Sequence, residues 1–206
     1  MVKVKICGIT NAQDALAAAR AGADALGFNF FPPSPRYVTP DAARAICMTL
    51  PPFVAAVGVF VDQDPAEVQE IAQHCGLDYV QLHGHEGRRT VQRLKNLRVI
   101  KALRIRGEND LKDLQKYEAV AFLLDAYVPQ LPGGTGQTFD WHLGRKAASQ
   151  AKIIVAGGLT PENVATAVER TRPYGVDVAG GVEQSPGKKS RALMEDFVRA
   201  AKAVEL

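Results

Sequence analysis

Short apolar segments alternate with amphipathic segments along the whole chain. The apolar segments are rich in β-branched residues and are typical of buried strands, whereas the segments between them repeat apolar residues at helical spacing. Two of the helical segments begin with a capping threonine followed by proline, at Thr39-Pro40 and Thr160-Pro161, a preferred helix start. The predicted strands are Val2–Ile6, Ala25–Phe28, Ala55–Phe60, Tyr79–Leu82, Val99–Leu103, Ala119–Leu124, Lys152–Val155 and Val176–Val178. The predicted helices are Ala12–Ala21, Pro40–Leu50, Pro65–Cys75, Arg88–Leu97, Leu111–Tyr117, Asp140–Gln150, Pro161–Arg172 and Ser190–Val204.

This succession of βα units predicts a closed parallel barrel. Parallel strands are joined by right-handed crossovers, and eight such units close into a barrel with the helices outside. We expect an α/β fold, a single (β/α)8 TIM barrel that spans residues 1–206 as one domain, short for this fold and with an abbreviated fifth helix. The alternative is an open doubly wound sheet, which requires a reversal of strand order that a sequence does not reveal.

The alternation of side chains within each strand predicts which residues face the inside of the barrel. In the first strand Val4 and Ile6 should contact the helices, so Lys5 and Cys7 point inward, with Cys7 at the carboxyl end. The same rule places His83 after the fourth strand and Asp125 after the sixth. Catalytic residues of such barrels lie at this end, and we therefore expect Cys7, His83 and Asp125 to converge there.

These residue types suit proton transfer. A thiol whose pKa is lowered by a nearby cation can act as a base, and Lys5 is the candidate cation. A carboxylic acid that is partly shielded from water can act as a general acid, which suggests Asp125. Each residue also has a structural interpretation: Cys7 as a small buried side chain, Asp125 as a cap, His83 as a hydrogen-bonded residue and Lys5 as the counterion of a buried carboxylate. Their shared location favours the catalytic interpretation.

Glycine pairs follow the last two predicted strands, in Ala156-Gly157-Gly158 and in Ala179-Gly180-Gly181. The loops after strands seven and eight form the usual phosphate site of such barrels. Glycine lets backbone N–H groups approach an anion closely, and a short helix after strand eight would add its dipole. These residues therefore predict a phosphate-binding site, and tight turns without a ligand are the alternative.

Two longer loops also lie at this end, Asn29–Val38 and Ala126–Phe139. The second contains Leu131–Gly136, is rich in glycine, and suggests a lid. In the first loop Arg36 follows several prolines, and a guanidinium on a stiff loop is a good clamp for a carboxylate. A solvated arginine is the alternative interpretation.

Composition and charge exclude several classes of function. The chain has 25 Lys and Arg against 22 Asp and Glu, a net charge of +3, which is too weak for a nucleic-acid-binding surface. The three cysteines form no CxxC pair and have no histidine at zinc-binding spacing, so we expect no metal. No apolar segment approaches the ~20 residues of a membrane span, and no leader is evident. We expect a cytoplasmic protein that has no nucleic-acid or membrane partner.

Several motifs resemble those of the phosphoribosylanthranilate isomerase family of tryptophan biosynthesis, and the resemblance covers the whole chain. They are VKICGIT at 4–10, GFNF at 27–30, SPR at 34–36, VQLHG at 80–84, LD at 124–125, GGTG at 133–136, AGGLT at 156–160, GVDV at 175–178 and GVE at 181–183. The resemblance implies an Amadori rearrangement of the small molecule N-(5-phosphoribosyl)anthranilate to 1-(2-carboxyphenylamino)-1-deoxyribulose 5-phosphate. It implies no cofactor and leaves open whether the chain is a monomer or a homodimer.

The resemblance also implies individual roles. Asp125 is the acid that protonates the ring oxygen and opens the furanose to a Schiff base, Cys7 is the base that removes the C2 proton, and Arg36 holds the anthranilate carboxylate. One motif departs from the family, which is expected to carry two serines where this chain has Ala179 and Gly180. Two hydroxyls that could contact phosphate are missing, so phosphate affinity is either reduced or supplied elsewhere.

Three alternatives remain at the level of the sequence. A related aminoaldose isomerase of histidine biosynthesis would have aspartate in place of Cys7, and indole-glycerol-phosphate synthase would use lysine and glutamate at its strand ends. A non-catalytic barrel that binds a phosphorylated metabolite is the third alternative, and the presence of both Cys7 and Asp125 argues against it.

Overall fold

A computed structural model describes residues 1–105, 107–125 and 141–205. Its eight long strands form a closed barrel in sequence order, in which all neighbouring strands are parallel and the last pairs with the first. The predicted barrel is confirmed, and the open doubly wound sheet is wrong. The strands are β1 (Lys3–Cys7), β2 (Ala25–Asn29), β3 (Ala55–Phe60), β4 (Tyr79–Leu82), β5 (Val99–Leu103), β6 (Ala121–Asp125), β7 (Ile153–Ala156) and β8 (Gly175–Val178).

Helices lie between the strands, and several are shorter than predicted. The α-helices are α1 (Ala12–Ala21), α2 (Pro40–Cys47), α3 (Pro65–Cys75), α4 (Arg88–Arg93), α5 (Trp141–Ala148), α6 (Val164–Thr171) and α7 (Arg191–Lys202). The expected short fifth helix, between β5 and β6, is a 3-10 helix over Glu108–Gln115 that buries Leu111 and Leu114. The predicted end of α2 at Leu50 is wrong, because Thr49 and Leu50 form turns directly before two prolines. No helix in the described part of the chain is long and apolar enough to span a membrane.

A short hairpin follows β8 and was not predicted. A 3-10 turn over Gly180–Val182 leads into β9 (Glu183–Ser185), which pairs antiparallel with β10 (Lys188–Lys189) before α7 begins. The turn between the two strands contains Gly187 with φ +81°, a left-handed conformation that glycine adopts readily. Because the strands are so short and polar, they carry no alternating pattern for sequence analysis to detect.

The core has an inner and an outer layer, as the alternation predicts. Side chains from β3, β5, β6 and β7 fill the inside of the barrel with residues such as Leu123 and Ile154. Their neighbours in sequence, among them Phe122 and Leu124, pack outward in the core that includes the helices. Lys5 is also inside the barrel and only 4% exposed, so its charge needs partners within the protein.

Candidate active site

A cavity of about 390 Å³ lies at the carboxyl ends of the strands. It contains most of the residues that the sequence singled out: Cys7, Arg36, His83, Asp125, Gly157, Gly158, Ala179, Gly180 and Gly181. Lys5 is the exception, since its side chain is buried inside the barrel rather than lining the cavity. The structure therefore brings together side chains from loops and strands far apart in sequence.

The Cys7 thiol lies beside the Lys5 ammonium, which also binds Asp177 on β8. Lys5 Nζ donates to Asp177 Oδ1 at 2.8 Å, and both side chains are less than a tenth exposed. Gly27 on the neighbouring strand leaves room for this arrangement, since a Cβ there would lie 2.7 Å from Cys7 Sγ and 3.1 Å from Lys5 Nζ. Lys5 therefore serves a buried carboxylate and a thiol at once.

The expectation that the pKa of Cys7 is lowered is wrong. Burial raises the pKa of this thiol, and the nearby Lys5 charge lowers it by less than burial raises it. The pKa of Lys5 is itself raised, because Asp177 and Cys7 together outweigh the desolvation of the ammonium. The thiol is thus protonated at neutral pH, with a cation in place to stabilise the thiolate once it forms.

Asp125 is linked through His83 to a buried amide. His83 Nε2 lies 3.3 Å from Asp125 Oδ2, and the Gln81 amide nitrogen lies 2.8 Å from His83 Nδ1. With the amide donating to Nδ1, the imidazole proton is on Nε2 and is directed at the carboxylate. Gln81 Oε1 is buried and has no hydrogen-bond partner in the described part of the protein. This chain of contacts fixes the orientation of the Asp125 side chain at the cavity.

The glycine turns after β7 and β8 pack closely against each other. A Cβ on Gly181 would lie 1.9 Å from the carbonyl oxygen of Leu159, so the two turns approach this closely only because Gly181 has no side chain. Gly157 and Gly158 both have positive φ values, 87° and 66°. The short 3-10 turn begins at Gly180, where first-turn N–H groups lack partners within the helix. The two turns together can present backbone donors to an anion.

Arg36 is held by contacts on two sides. Its main-chain N–H donates to Ser34 Oγ, and Ser34 accepts in turn from the Asn29 amide at the end of β2. The side-chain stem passes over Gly8, where a Cβ would lie 2.5 Å from Arg36 Cδ. The guanidinium donates from Nε to Glu183 Oε1 at 2.8 Å and from Nη2 to Glu183 Oε2 at 2.7 Å.

Sequence analysis missed three charged residues around this site, Asp177, Glu183 and Lys189. Lys189 is fully buried and donates to the carbonyls of Cys7 and Ala179 and to Glu183 Oε1, at 2.6, 3.1 and 2.9 Å. Asp177 had a signal, because it is a charged residue at an inward position between two valines of a strand. Lys189 had none, because it lies in the hairpin that the pattern did not predict.

The predicted lid remains without a structural test, and so does the expectation that the protein binds no metal. The Ala126–Phe139 loop, with its GGTG motif, lies outside the described residues. Within residues 1–105, 107–125 and 141–205, no group of three or more His, Cys, Asp or Glu side chains is placed to hold a metal ion.

Comparisons with known proteins agree on one family. The sequence profile of N-(5'phosphoribosyl)anthranilate (PRA) isomerase matches residues 4–200. A protein of Pelobacter propionicus, N-(5'-phosphoribosyl)anthranilate isomerase, is 52% identical over 202 residues, which is 98% of this chain and 96% of the relative.

Solved structures of the same family superpose on nearly the whole chain. A phosphoribosyl anthranilate isomerase in complex with reduced 1-(o-carboxyphenylamino)-1-deoxyribulose 5-phosphate is 41% identical, with a TM-score of 0.89 over 99% of this chain and 100% of the other. A structure of monomers of the dimeric enzyme from Thermotoga maritima is 39% identical, with a TM-score of 0.88 over the same shares. The histidine-pathway enzyme, the synthase and the non-catalytic barrel are therefore set aside. The chain belongs to the N-(5'-phosphoribosyl)anthranilate isomerase family.

Proposed function

We propose that Asp125 and Cys7 are the general acid and the general base of the isomerisation that this family catalyses. The substrate is a small molecule, N-(5'-phosphoribosyl)anthranilate. The observation that carries the proposal is the cavity at the carboxyl ends, where a carboxyl group and a thiol from two non-adjacent strands face the same space. An acid and a base each contribute typically ~10²–10⁴-fold to a rate, provided that both reach the substrate.

The two groups act in succession. Asp125 donates its proton to the furanose ring oxygen while the nitrogen lone pair forms the C1=N bond, so that the C1–O bond breaks and a protonated Schiff base results. The Cys7 thiolate then takes the proton from C2, and the electrons of that C–H bond form the C1=C2 bond as the C1=N electrons return to nitrogen. The resulting enolamine tautomerises to the ketone. His83 holds Asp125 toward the ring oxygen, and Lys5 stabilises the Cys7 thiolate.

The remaining site residues position the substrate. The backbone of Gly157, Gly158 and Ala179–Gly181 binds the phosphate, without help from hydroxyl side chains at positions 179 and 180. Arg36 binds the anthranilate carboxylate through its planar pair of donors. Holding both ends of a flexible substrate brings C2 and the ring oxygen to the base and the acid, which itself accelerates the reaction.

The direct test of this function is turnover of synthesised phosphoribosylanthranilate. The loss of substrate fluorescence should follow enzyme concentration and should end in the aminoketose product. Binding of the substrate without any turnover would contradict the proposal and favour a sensor or scaffold.

Replacement of Arg36 by methionine should weaken binding of the carboxylate. Loss of a charge-assisted pair is expected to raise KM by roughly tenfold to a hundredfold. The matched comparison is phosphoribosylaniline, which lacks the carboxylate and should show no such rise. Equal effects on both substrates, measured as KM in the fluorescence assay, would refute the carboxylate clamp.

Replacement of Lys5 by methionine should change the pH dependence of the reaction. Because burial raises the pKa of Cys7, wild-type kcat/KM should increase with pH above neutrality as the thiolate forms. The Lys5 charge lowers the pKa of Cys7, so its loss should raise that pKa further and move the rising limb of the pH profile to higher pH. At neutral pH, kcat/KM should then fall by about tenfold for each unit by which the pKa rises. The measurement is kcat/KM from about pH 6 to about pH 10.

A control is needed for this variant, because Lys5→Met leaves the buried Asp177 carboxylate without its ion-pair partner. The double variant Lys5→Met/Asp177→Asn removes both charges, so it should recover thermal stability. Its pH limb should stay above that of the wild type but below that of Lys5→Met, because Asp177 raises the pKa of Cys7 by less than Lys5 lowers it. A limb that stays at the wild-type pH in both variants would exclude Lys5 as the partner of the thiolate.

We propose that the chain forms a homodimer, because its relative from Thermotoga maritima is dimeric. We place the interface at the amino ends of the strands on features of this chain alone. Phe53 is 97% exposed at this face and borders a cavity of about 220 Å³, beside the half-exposed Tyr174. A projecting aromatic ring next to a cavity suits a contact between two copies related by a two-fold axis. Sedimentation should give a dimer for the wild type and a monomer for Phe53→Glu. A wild-type monomer would contradict this.

A further inference from the structure

We infer that Glu183 is a positioning residue that holds one edge of the Arg36 guanidinium and thereby turns the other edge to the substrate carboxylate. The inference rests on the proposed role of Arg36 and extends it to a residue that does not touch the substrate.

The hydrogen bonds at Arg36 use one edge of its guanidinium. Nε and Nη2 donate to the two oxygens of Glu183, so the planar groups of the two side chains are paired edge to edge. A guanidinium has a second pair of donors, from Nη1 and Nη2, on its outer edge. In residues 1–105, 107–125 and 141–205 no acceptor binds Nη1. The outer edge is therefore free to receive a second carboxylate.

Exposure indicates the direction in which that edge points. The side chain of Glu183 is 5% exposed, whereas that of Arg36 is 26% exposed and lines the active-site cavity. Arg36 thus separates a buried carboxylate from the space where the substrate binds. A Cβ on Gly180 would lie 3.5 Å from Arg36 Nη2, so the glycine at this position leaves the guanidinium room beside the phosphate turn.

Glu183 is itself fixed by groups behind it. Lys189 Nζ donates to Glu183 Oε1 at 2.9 Å, and the Gly187 N–H donates to the same oxygen at 3.3 Å. Burial raises the pKa of Glu183, but the hydrogen bonds from Arg36 and Lys189 lower it by more, so the carboxylate stays ionised. Since Lys189 also binds the carbonyls of Cys7 and Ala179, Glu183 is anchored to the ends of β1 and β8.

This geometry predicts a specific kinetic signature. Holding Arg36 in one orientation reduces the entropy lost when the substrate carboxylate binds, and the benefit depends on that carboxylate. Glu183→Gln should therefore raise KM for phosphoribosylanthranilate by about tenfold, the lower range for a hydrogen bond between charged groups, with kcat within about twofold of wild type. The KM for phosphoribosylaniline should stay near its wild-type value.

The double variant tests whether Glu183 acts through Arg36. If it does, Glu183→Gln adds no further rise in KM to Arg36→Met, whereas independent sites would multiply their effects. A matched control is Glu86→Gln, because Glu86 also forms a buried ion pair, 2.8 Å from Lys101 Nζ, and does not contact Arg36. This control should lower thermal stability without distinguishing the two substrates.

A second variant keeps the test valid if Glu183→Gln lowers the stability of the fold. Glu183→Gln leaves the Lys189 ammonium buried without its counterion, so Glu183→Gln/Lys189→Met serves as a second variant in which that charge is also removed. It should show the same rise in KM for the carboxylated substrate relative to phosphoribosylaniline, whereas the lost bonds from Lys189 to the Cys7 and Ala179 carbonyls should affect both substrates alike.

The outcomes separate this inference from the proposal on which it rests. If Arg36→Met does not distinguish the two substrates, the clamp itself is wrong. If Arg36→Met distinguishes them and Glu183→Gln affects both equally or neither, the positioning role of Glu183 is wrong while the clamp stands. Tighter binding of the carboxylated substrate by Glu183→Gln would also overturn the inference, because Glu183 would then compete with the substrate for Arg36.

Discussion

Replacement of Cys7 by alanine should lower kcat by about 10³-fold and leave ligand binding nearly intact. The expected loss is typical of the removal of a general base. Cys7 lines the cavity together with Arg36 and the glycine turns after β7 and β8, and the substitution leaves these other binding residues unchanged. The fluorescence assay measures turnover. Calorimetry with reduced 1-(o-carboxyphenylamino)-1-deoxyribulose 5-phosphate measures binding.

The chain provides a matched control for this substitution. Cys47 is a second free thiol, on α2 and outside the cavity, with a pKa that burial raises to about 12. Cys47→Ala should turn over like the wild type. Wild-type turnover in Cys7→Ala would remove Cys7 from the mechanism, and a parallel loss of binding would show that the substitution had damaged the site rather than the chemistry.

Replacement of Asp125 by asparagine should lower kcat by a similar factor of about 10³ at an earlier step of the reaction. The amide keeps the shape of the side chain and its contact with His83, but it has no acidic proton to give to the ring oxygen. Ring opening then limits the rate. The measurement compares kcat for substrates with hydrogen and with deuterium at C2. The wild type shows an isotope effect on kcat to the extent that removal of the C2 proton limits its rate. In Asp125→Asn this isotope effect should fall toward unity, because ring opening limits the rate instead.

The isotope effect distinguishes the two roles within one experiment. Asp196→Asn, an exposed substitution on α7, is the control and should behave like the wild type. A C2 isotope effect that grows in Asp125→Asn would mean that Asp125 assists the removal of the carbon-bound proton, which contradicts its assignment as the acid of ring opening.

The barrel and the position of its proposed catalytic groups follow from local regularities of the sequence. The side chains of a strand alternate, and parallel strands of a barrel end at one face, so Cys7 and Asp125 can be placed together without knowing any contact between them. The glycine pairs are similarly informative, because their positions after β7 and β8 depend only on the order of the elements.

The electrostatic state of the site was beyond such reasoning. Lys5 beside Cys7 suggested a lowered thiol pKa, but the sign depends on how much water each group loses, and Asp177 across the β1–β8 seam shares the lysine. Burial is a property of the whole fold, and no periodicity of one strand reports it.

The support of Arg36 was missed for a different reason. Glu183 and Lys189 belong to strands of three and two residues, too short to produce a hydrophobic pattern. Their partners Arg36 and Cys7 come from the first two βα units, so the network becomes visible only when the barrel is closed.

The contact between Lys189 and the carbonyl of Cys7 also has a consequence for biosynthesis. The two residues are 182 positions apart, and β1 finds its second neighbour only in β8. Long-range pairings of this kind form late and slow folding, because the loop between the partners must be closed first. A chain still emerging from the ribosome therefore presents β1 with an unpaired edge, and the proposed proton-transfer site is complete only when the final segments have been synthesised.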